Sequence, residues 1–119
     1  MFMEQKRTLS LLVDNTPGLL SRVAGLFSRR GYNIETITAG VTADSRYTRM
    51  TVVLYCSDEM ILEQIKKQLA KLVDVRDIKE LKPDESVRRE LMLVKIRVNE
   101  NERRNVIAIS DVFRGRIVD

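Results

Sequence analysis

An α+β fold is predicted, in the order strand, helix, strand, strand, helix, strand, and three observations predict it. Runs of alternating character (Lys6 to Asp14 and Tyr47 to Cys56) are interleaved with runs whose apolar residues recur at helical spacing (Pro17 to Arg30 and Ser57 to Leu72). Glycine, proline or short polar stretches mark each change of period. Only the polar run Thr42 to Arg46 separates the second and third strands, so these two pair as a hairpin. That order is the ferredoxin-like βαββαβ arrangement, with two helices packed on one face of an antiparallel sheet.

Each element has its own justification. In the first strand Leu9, Leu11 and Val13 share one face and Thr8, Ser10 and Leu12 the other. In the first helix the apolar residues Leu19, Leu20, Val23, Ala24, Leu26 and Phe27 form one stripe at helical period, while Ser21, Arg22, Ser28 and Arg29 face outward. Thr16 reads as its N-cap and Pro17 as its first residue, where a missing N–H costs nothing. Arg29 and Arg30 suit the negative end of the helix, and Gly31 suits a left-handed cap. Asn33 to Thr42 is rich in β-branched residues and forms the second strand. The third strand, Tyr47 to Cys56, sets Met50, Val52 and Leu54 against Thr51, Val53 and Tyr55.

Ser57, Asp58 and Glu59 supply a cap and first-turn carboxylates for the second helix, whose stripe is Ile61, Leu62, Ile65, Leu69 and Leu72. Glu63 and Lys67, four apart, are placed to pair. The fourth strand, Val73 to Leu81, is the least regular, alternating Val73, Val75 and either Asp77 or Ile78.

This first domain spans residues 6–81. Residues 82–89 are charged, contain Pro83 and read as a linker, and residues 90–119 begin a second α/β module. There Leu91 to Val98 has strand character, and Val106, Ile107, Ile109, Val112 and Phe113 mark a helix ending near Gly115. Arg116 to Asp119 opens a further strand. Set beside residues 8–34, this is a faint repeat whose second copy stops about half way, so it cannot bury a core alone.

Composition excludes several classes. The 119 residues are 44% hydrophobic and 32% charged, enough for a folded domain. The net charge of +4 divides evenly, +2 in residues 1–81 and +2 in residues 82–119, so no basic patch points to nucleic acid. Strand three offers Arg49, Met50, Thr51 and Val52 where an RNA-binding domain of this topology needs aromatic platforms. There is no histidine and one cysteine, Cys56, so zinc spacings, a disulfide framework and Cys-His or Ser-His catalysis are all missing. Met1 to Ser10 carries Glu4, Lys6 and Arg7 and is expected to be neither signal peptide nor membrane anchor. A cytoplasmic location is expected.

The candidate site is the turn Asp14-Asn15-Thr16-Pro17-Gly18-Leu19-Leu20. N–H groups at the start of the first helix, with no Cβ on Gly18 in the way, are open to a carboxylate. Asn33, at the re-entry to the sheet, offers a donor and an acceptor. Together they could hold the carboxylate and ammonium of a free amino acid. The same residues also fit an ordinary helix start and a turn after a C-cap.

The string DNTPGLLSRVAGLFSRRGYNIETI, followed by SRYTRMT and LEQIKKQLAKLVDV, strongly resembles the regulatory (small) subunits of acetolactate synthase, also called acetohydroxyacid synthase. The resemblance is close over residues 6–81, which correspond to that family's ACT domain, and residues 90–119 resemble the start of its second domain. It implies a non-catalytic feedback sensor of branched-chain amino acid biosynthesis. Such chains dimerise through ACT domains and bind valine or a related amino acid at the dimer interface. They attach to a catalytic subunit that carries thiamine diphosphate, FAD and magnesium, with no cofactor expected on this chain. Carried over, the effector contacts fall on Asn15, Gly18, Asn33 and Ile34, with Thr16, Pro17, Leu19 and Leu20 beside them. Asn99, Glu100, Asn101, Glu102 and Arg103 have no Pro-Gly pair and bring carboxylates, so no second effector site is expected there. The segment Thr42 to Arg49 is a candidate surface for the catalytic subunit, or simply a solvated hairpin tip. An ACT-type sensor of another enzyme is the other reading.

Overall fold

The computed structural model describes residues 5–119. The expectation for Met1 to Ser10 therefore falls partly on residues 1–4, which lie outside the described residues. The chain divides into two compact units, residues up to Arg88 and residues 89–119.

In the first unit the elements are β1 (Lys6–Asp14), α1 (Leu19–Arg29), β2 (Ile34–Val41), β3 (Tyr47–Tyr55), α2 (Glu59–Ala70) and β4 (Val75–Glu80). They follow the predicted order, and the sheet runs β2-β3-β1-β4 with every pairing antiparallel. Register explains the core. Leu9 lies opposite Val52 and Leu11 opposite Met50, which puts the alternating apolar residues of β1 and β3 on one face. Val23, Leu26 and Phe27 of α1 and Leu62, Ile65 and Leu69 of α2 complete that core. Each such side chain removed from water contributes about 2 kcal/mol.

The end of α1 shows how local sequence sets geometry. Gly31 adopts φ +71°, its N–H donates to Ser28 O at 3.2 Å, and the Tyr32 N–H donates to Phe27 O at 3.0 Å. This is a Schellman cap, and the hydrophobic contact that accompanies it is the edge-on packing of Tyr32 on Phe27, centroids 6.4 Å apart. The left-handed cap expected at Gly31 is thus present.

The fourth strand and one helix ion pair depart from expectation. The fourth strand starts at Val75, and Val73 is exposed. Leu12 pairs with Asp77 and Val13 with Val75, so Arg76 is an extra residue, a bulge. The bulge brings Val75 and Ile78, three apart, onto the core, which settles the choice between Asp77 and Ile78 in favour of Ile78. Glu63 pairs with Lys66 at 3.1 Å and not with Lys67, because Lys66 also reaches Glu80 at 3.4 Å on the neighbouring strand.

In the second unit α3 spans Glu100–Val112 and begins with a capping box. The Asn99 side chain accepts from the Glu102 N–H, and the Glu102 carboxylate accepts from the Asn99 N–H. The strand expected over Leu91 to Val98 is not formed, and neither is one over Arg116 to Asp119. Both stretches have strand composition, but residues 89–119 contain no paired strand to complete a hydrogen-bonded ladder.

Candidate functional site

The site is built where β1 ends. The Asp14 carboxylate accepts two bonds from the Arg76 guanidinium, at 2.8 and 2.9 Å, which hold its carboxyl below the usual range. Asn15 is tied to the β2–β3 hairpin tip. Its N–H donates to Arg46 O at 2.8 Å and its side-chain amide to Ser45 O at 3.2 Å. The tip is itself drawn tight, since the Asp44 carboxylate accepts from the Arg46 guanidinium and backbone N–H, which push its carboxyl down to about 2. Part of the Thr42 to Arg49 segment therefore supports the turn.

Thr16, Pro17, Gly18 and Leu19 form a type II turn. Gly18 has φ +79° and ψ 1°, and the Leu19 N–H faces Thr16 O at 3.4 Å. Proline at the second position and glycine at the third are the residues this turn demands. The expectation of a Thr16 N-cap with Pro17 as first helical residue is thereby corrected. Helical dihedrals cannot begin until after the left-handed Gly18, so the N-cap is Gly18 and no side chain caps the helix. The first helical bond runs from Arg22 N–H to Gly18 O at 3.1 Å, which leaves the Leu20 and Ser21 N–H groups outside the ladder. An uncapped, positive helix end beside a turn without a Cβ is suited to an anion.

The eight expected site residues do not converge within one chain. Asn15, Thr16, Pro17 and Gly18 are exposed at the N-terminal end of α1, with Leu20 half exposed beside them. Leu19 is buried, so its side chain belongs to the core. Asn33 is exposed and Ile34 half buried at the other end of α1. The helix has 11 residues, which separates the two groups by about 16 Å. A single amino acid cannot bridge that gap. Two surface hollows, of about 420 and 240 Å³, are lined by other residues.

One participant was not foreseen. Arg22, expected on a solvated helix face, folds back over the turn and pairs with Asp74 at 2.7 Å. Their separation of 52 residues leaves no local signal for the contact. Among the described residues no group of His, Cys, Asp and Glu side chains could hold a metal ion, and no helix is long and apolar enough to cross a membrane.

A four-stranded antiparallel sheet carrying two helices is the ferredoxin-like arrangement, here with a Pro-Gly turn at the entry to the first helix. The ACT domain of a GTP pyrophosphokinase from Chlorobium tepidum shares this fold, with a TM-score of 0.57 over 66% of this chain and all of that one at 16% identity. Residues 9–77 match the model for the AHAS small subunit-like ACT domain, and residues 89–119 match that for the small subunit of acetolactate synthase. The chain belongs to the acetolactate synthase small-subunit family. It is 50% identical over 114 residues to the isozyme 3 small subunit of Escherichia coli, covering 96% of this chain and 69% of that one. A probable small subunit of Methanothermobacter thermautotrophicus is 49% identical over 112 residues, covering 93% and 66%. The crystal structure of the small subunit from Thermotoga maritima superposes with a TM-score of 0.80 at 31% identity, over 97% of this chain and 71% of that one. The chain thus spans about two thirds of the length of these relatives.

Proposed function

We propose that this chain is a feedback sensor which binds a branched-chain amino acid, valine foremost, between two copies of its ACT domain. In this reading it regulates an acetolactate synthase catalytic subunit carrying thiamine diphosphate, FAD and magnesium. The observation that carries the dimeric site is the gap of about 16 Å between the Gly18 turn and Asn33. A two-fold axis resolves it. Because β2 is an edge strand, and α1 crosses from β1 to reach it, pairing two β2 edges lays two α1 helices side by side and antiparallel. The turn of one copy then meets Asn33 and Ile34 of the other.

Within that site each part has a task. The N–H groups at the start of α1 take the carboxylate, and the Asn33 side-chain carbonyl takes the ammonium. Leu20 and Val41, 52% and 60% exposed at the turn's end of the domain, supply an apolar lining suited to a branched side chain. Regulation follows from linkage. Effector binding favours one dimer arrangement and the catalytic subunit another, so each shifts the other's affinity by the same coupling energy, about 1 to 3 kcal/mol. The linker over residues 82–89 and a second module from residue 90 belong to the same reading.

The test is complementation between defective copies. Gly18→Asp removes the turn and Asn33→Ala the opposite half, so neither homodimer binds valine in calorimetry. In a refolded equal mixture about half of the dimers are mixed, and each mixed dimer regains one intact site, giving about a quarter of wild-type capacity. A mixture that stays silent, while wild type binds, refutes a site shared between copies. Wild type that binds none of valine, leucine or isoleucine refutes the sensor reading altogether.

A further inference from the structure

We propose that Arg22 is a positioning residue that sets the orientation of the Pro17–Gly18 peptide and thereby the affinity of the effector turn; the proposal rests on the sensor reading above. Its guanidinium makes four contacts. Nε donates to Asp74 Oδ2 at 2.8 Å and Nη2 lies 2.7 Å from the same oxygen. Nη2 also donates to Thr16 Oγ1 at 3.2 Å, and Nη1 donates to Pro17 O at 3.3 Å. Asp74 is the fixed end of this arrangement. Its side chain is 16% exposed, its backbone oxygen accepts the Asp14 N–H at 2.8 Å, and its other carboxylate oxygen accepts from Thr16 Oγ1 at 3.3 Å. One residue of the turn before β4 thus anchors the end of β1, the hydroxyl of Thr16 and the guanidinium over the turn.

The bond to Pro17 O is the informative one. Type I and type II turns differ by a flip of their central peptide, here Pro17–Gly18. In a trans peptide the C=O and N–H point in opposite directions. A donor that holds the Pro17 carbonyl therefore turns the Gly18 N–H to the other side, away from Arg22 and free for a ligand carboxylate. The turn's own closing contact, 3.4 Å from Leu19 N to Thr16 O, is long and a weak determinant of that choice. The planar fork of arginine is needed because the acceptors lie in different directions, and an ammonium cannot serve them together. Asp74 neutralises the guanidinium, so the expected contribution is orientation more than charge.

Full-length chains carrying Arg22→Met, Arg22→Lys or Arg29→Lys would be titrated with valine by calorimetry. Amide hydrogen exchange of Gly18 to Ser21 would be followed in the free protein. Both Arg22 variants should bind valine about tenfold or more weakly, with faster exchange concentrated in the turn, while Arg29→Lys matches wild type. Arg22→Lys, which keeps a cation beside Asp74, should melt near the wild-type temperature and Arg22→Met a few degrees below it. Wild-type affinity in Arg22→Lys would show that charge alone suffices and would overturn the proposal. So would wild-type exchange in Arg22→Met. If wild type itself binds no branched-chain amino acid, the sensor reading fails and the affinity half falls with it. The exchange data then still decide whether Arg22 holds the turn.

Discussion

Replacing Gly18 and Gly25 by alanine, one at a time, separates a left-handed turn from a helix start by the sign of the effect. If Gly18 were inside the first helical turn, alanine would stabilise the protein by up to about 1 kcal/mol, as it does in helices generally. At φ +79° the L side chain costs about 1 to 2 kcal/mol. The added Cβ would also stand 3.2 Å from Arg22 Nη1, so the guanidinium must give by a few tenths of an ångström. Against this, alanine restricts the unfolded chain by about 0.5 to 1 kcal/mol. The balance is a loss of about 1 kcal/mol. Gly25 lies in the middle of α1 with no heavy atom within 4 Å of an added Cβ, so alanine there should stabilise by about 0.5 to 1 kcal/mol. Urea denaturation gives the energies directly. In thermal melts the two variants should lie on opposite sides of wild type, separated by about 6 °C or more for a domain of this size. Stabilisation by Gly18→Ala comparable to Gly25→Ala would refute the type II turn, and with it the argument for an uncapped anion site.

Acid should weaken the fold through groups whose carboxyls are held low. Burial pulls the Glu80 carboxyl up, but bonds from Arg7 and Lys66 outweigh it, and it titrates below its ordinary 4.5. Stability from Glu80 is therefore complete above about pH 4.5 and lost as pH falls through the lowered value, with Glu59 and Asp14 following the same direction. Glu80→Gln should cost about 1 to 2 kcal/mol near neutrality, because it leaves the largely buried Arg7 with only the exposed Glu59 carboxylate as a charged partner, and should flatten the acid limb of urea midpoints measured against pH. In the second unit, the α3 capping box makes Asn99→Ala worth a loss of about 1 kcal/mol of helix stability. A peptide of residues 89–119 should nonetheless show weak helicity by circular dichroism, since 13 helical residues with no buried side chain are marginal in water. Strong, cooperative helicity in that peptide would contradict this.

Much of the ACT domain was legible because its core is written in period. Leu9, Leu11 and Val13 alternate, and so do Met50, Val52 and Leu54, and both triplets are buried within 1% of complete. Local rules failed where two structures share one signal. Proline followed by glycine serves equally as the start of a helix and as the centre of a type II turn. What distinguishes them here is Asp74, remote in sequence, which draws Arg22 onto Pro17. The bulge at Arg76 is a similar case. Alternation counted from Val73 cannot reveal an extra residue, whereas the neighbouring strand does, by pairing Val13 with Val75 and Leu12 with Asp77. Leu91 to Val98 failed for the complementary reason, since strand composition specifies a preference and only a neighbour supplies the ladder.

The candidate site was legible residue by residue, and the structure places those residues in two groups at opposite ends of α1. Each residue type speaks for its own chemistry, a carboxylate contact at Gly18 and an ammonium contact at Asn33, but residue type alone does not say how far apart the helix sets them. Rise per residue answers that question from sequence alone. The run from Leu19 to Arg29 puts Gly18 and Asn33 at opposite ends, too far apart for one small ligand by a factor of about three. A pattern in which two halves of one binding site flank a helix is therefore evidence for a second copy. In the proposed dimer, the antiparallel symmetry that joins the halves would also duplicate them, giving two equivalent sites whose occupancy would both depend on and reinforce the same dimer arrangement. Under that proposal a ligand would report its concentration through the arrangement of two chains, the form of signal a catalytic partner bound to such a dimer could read.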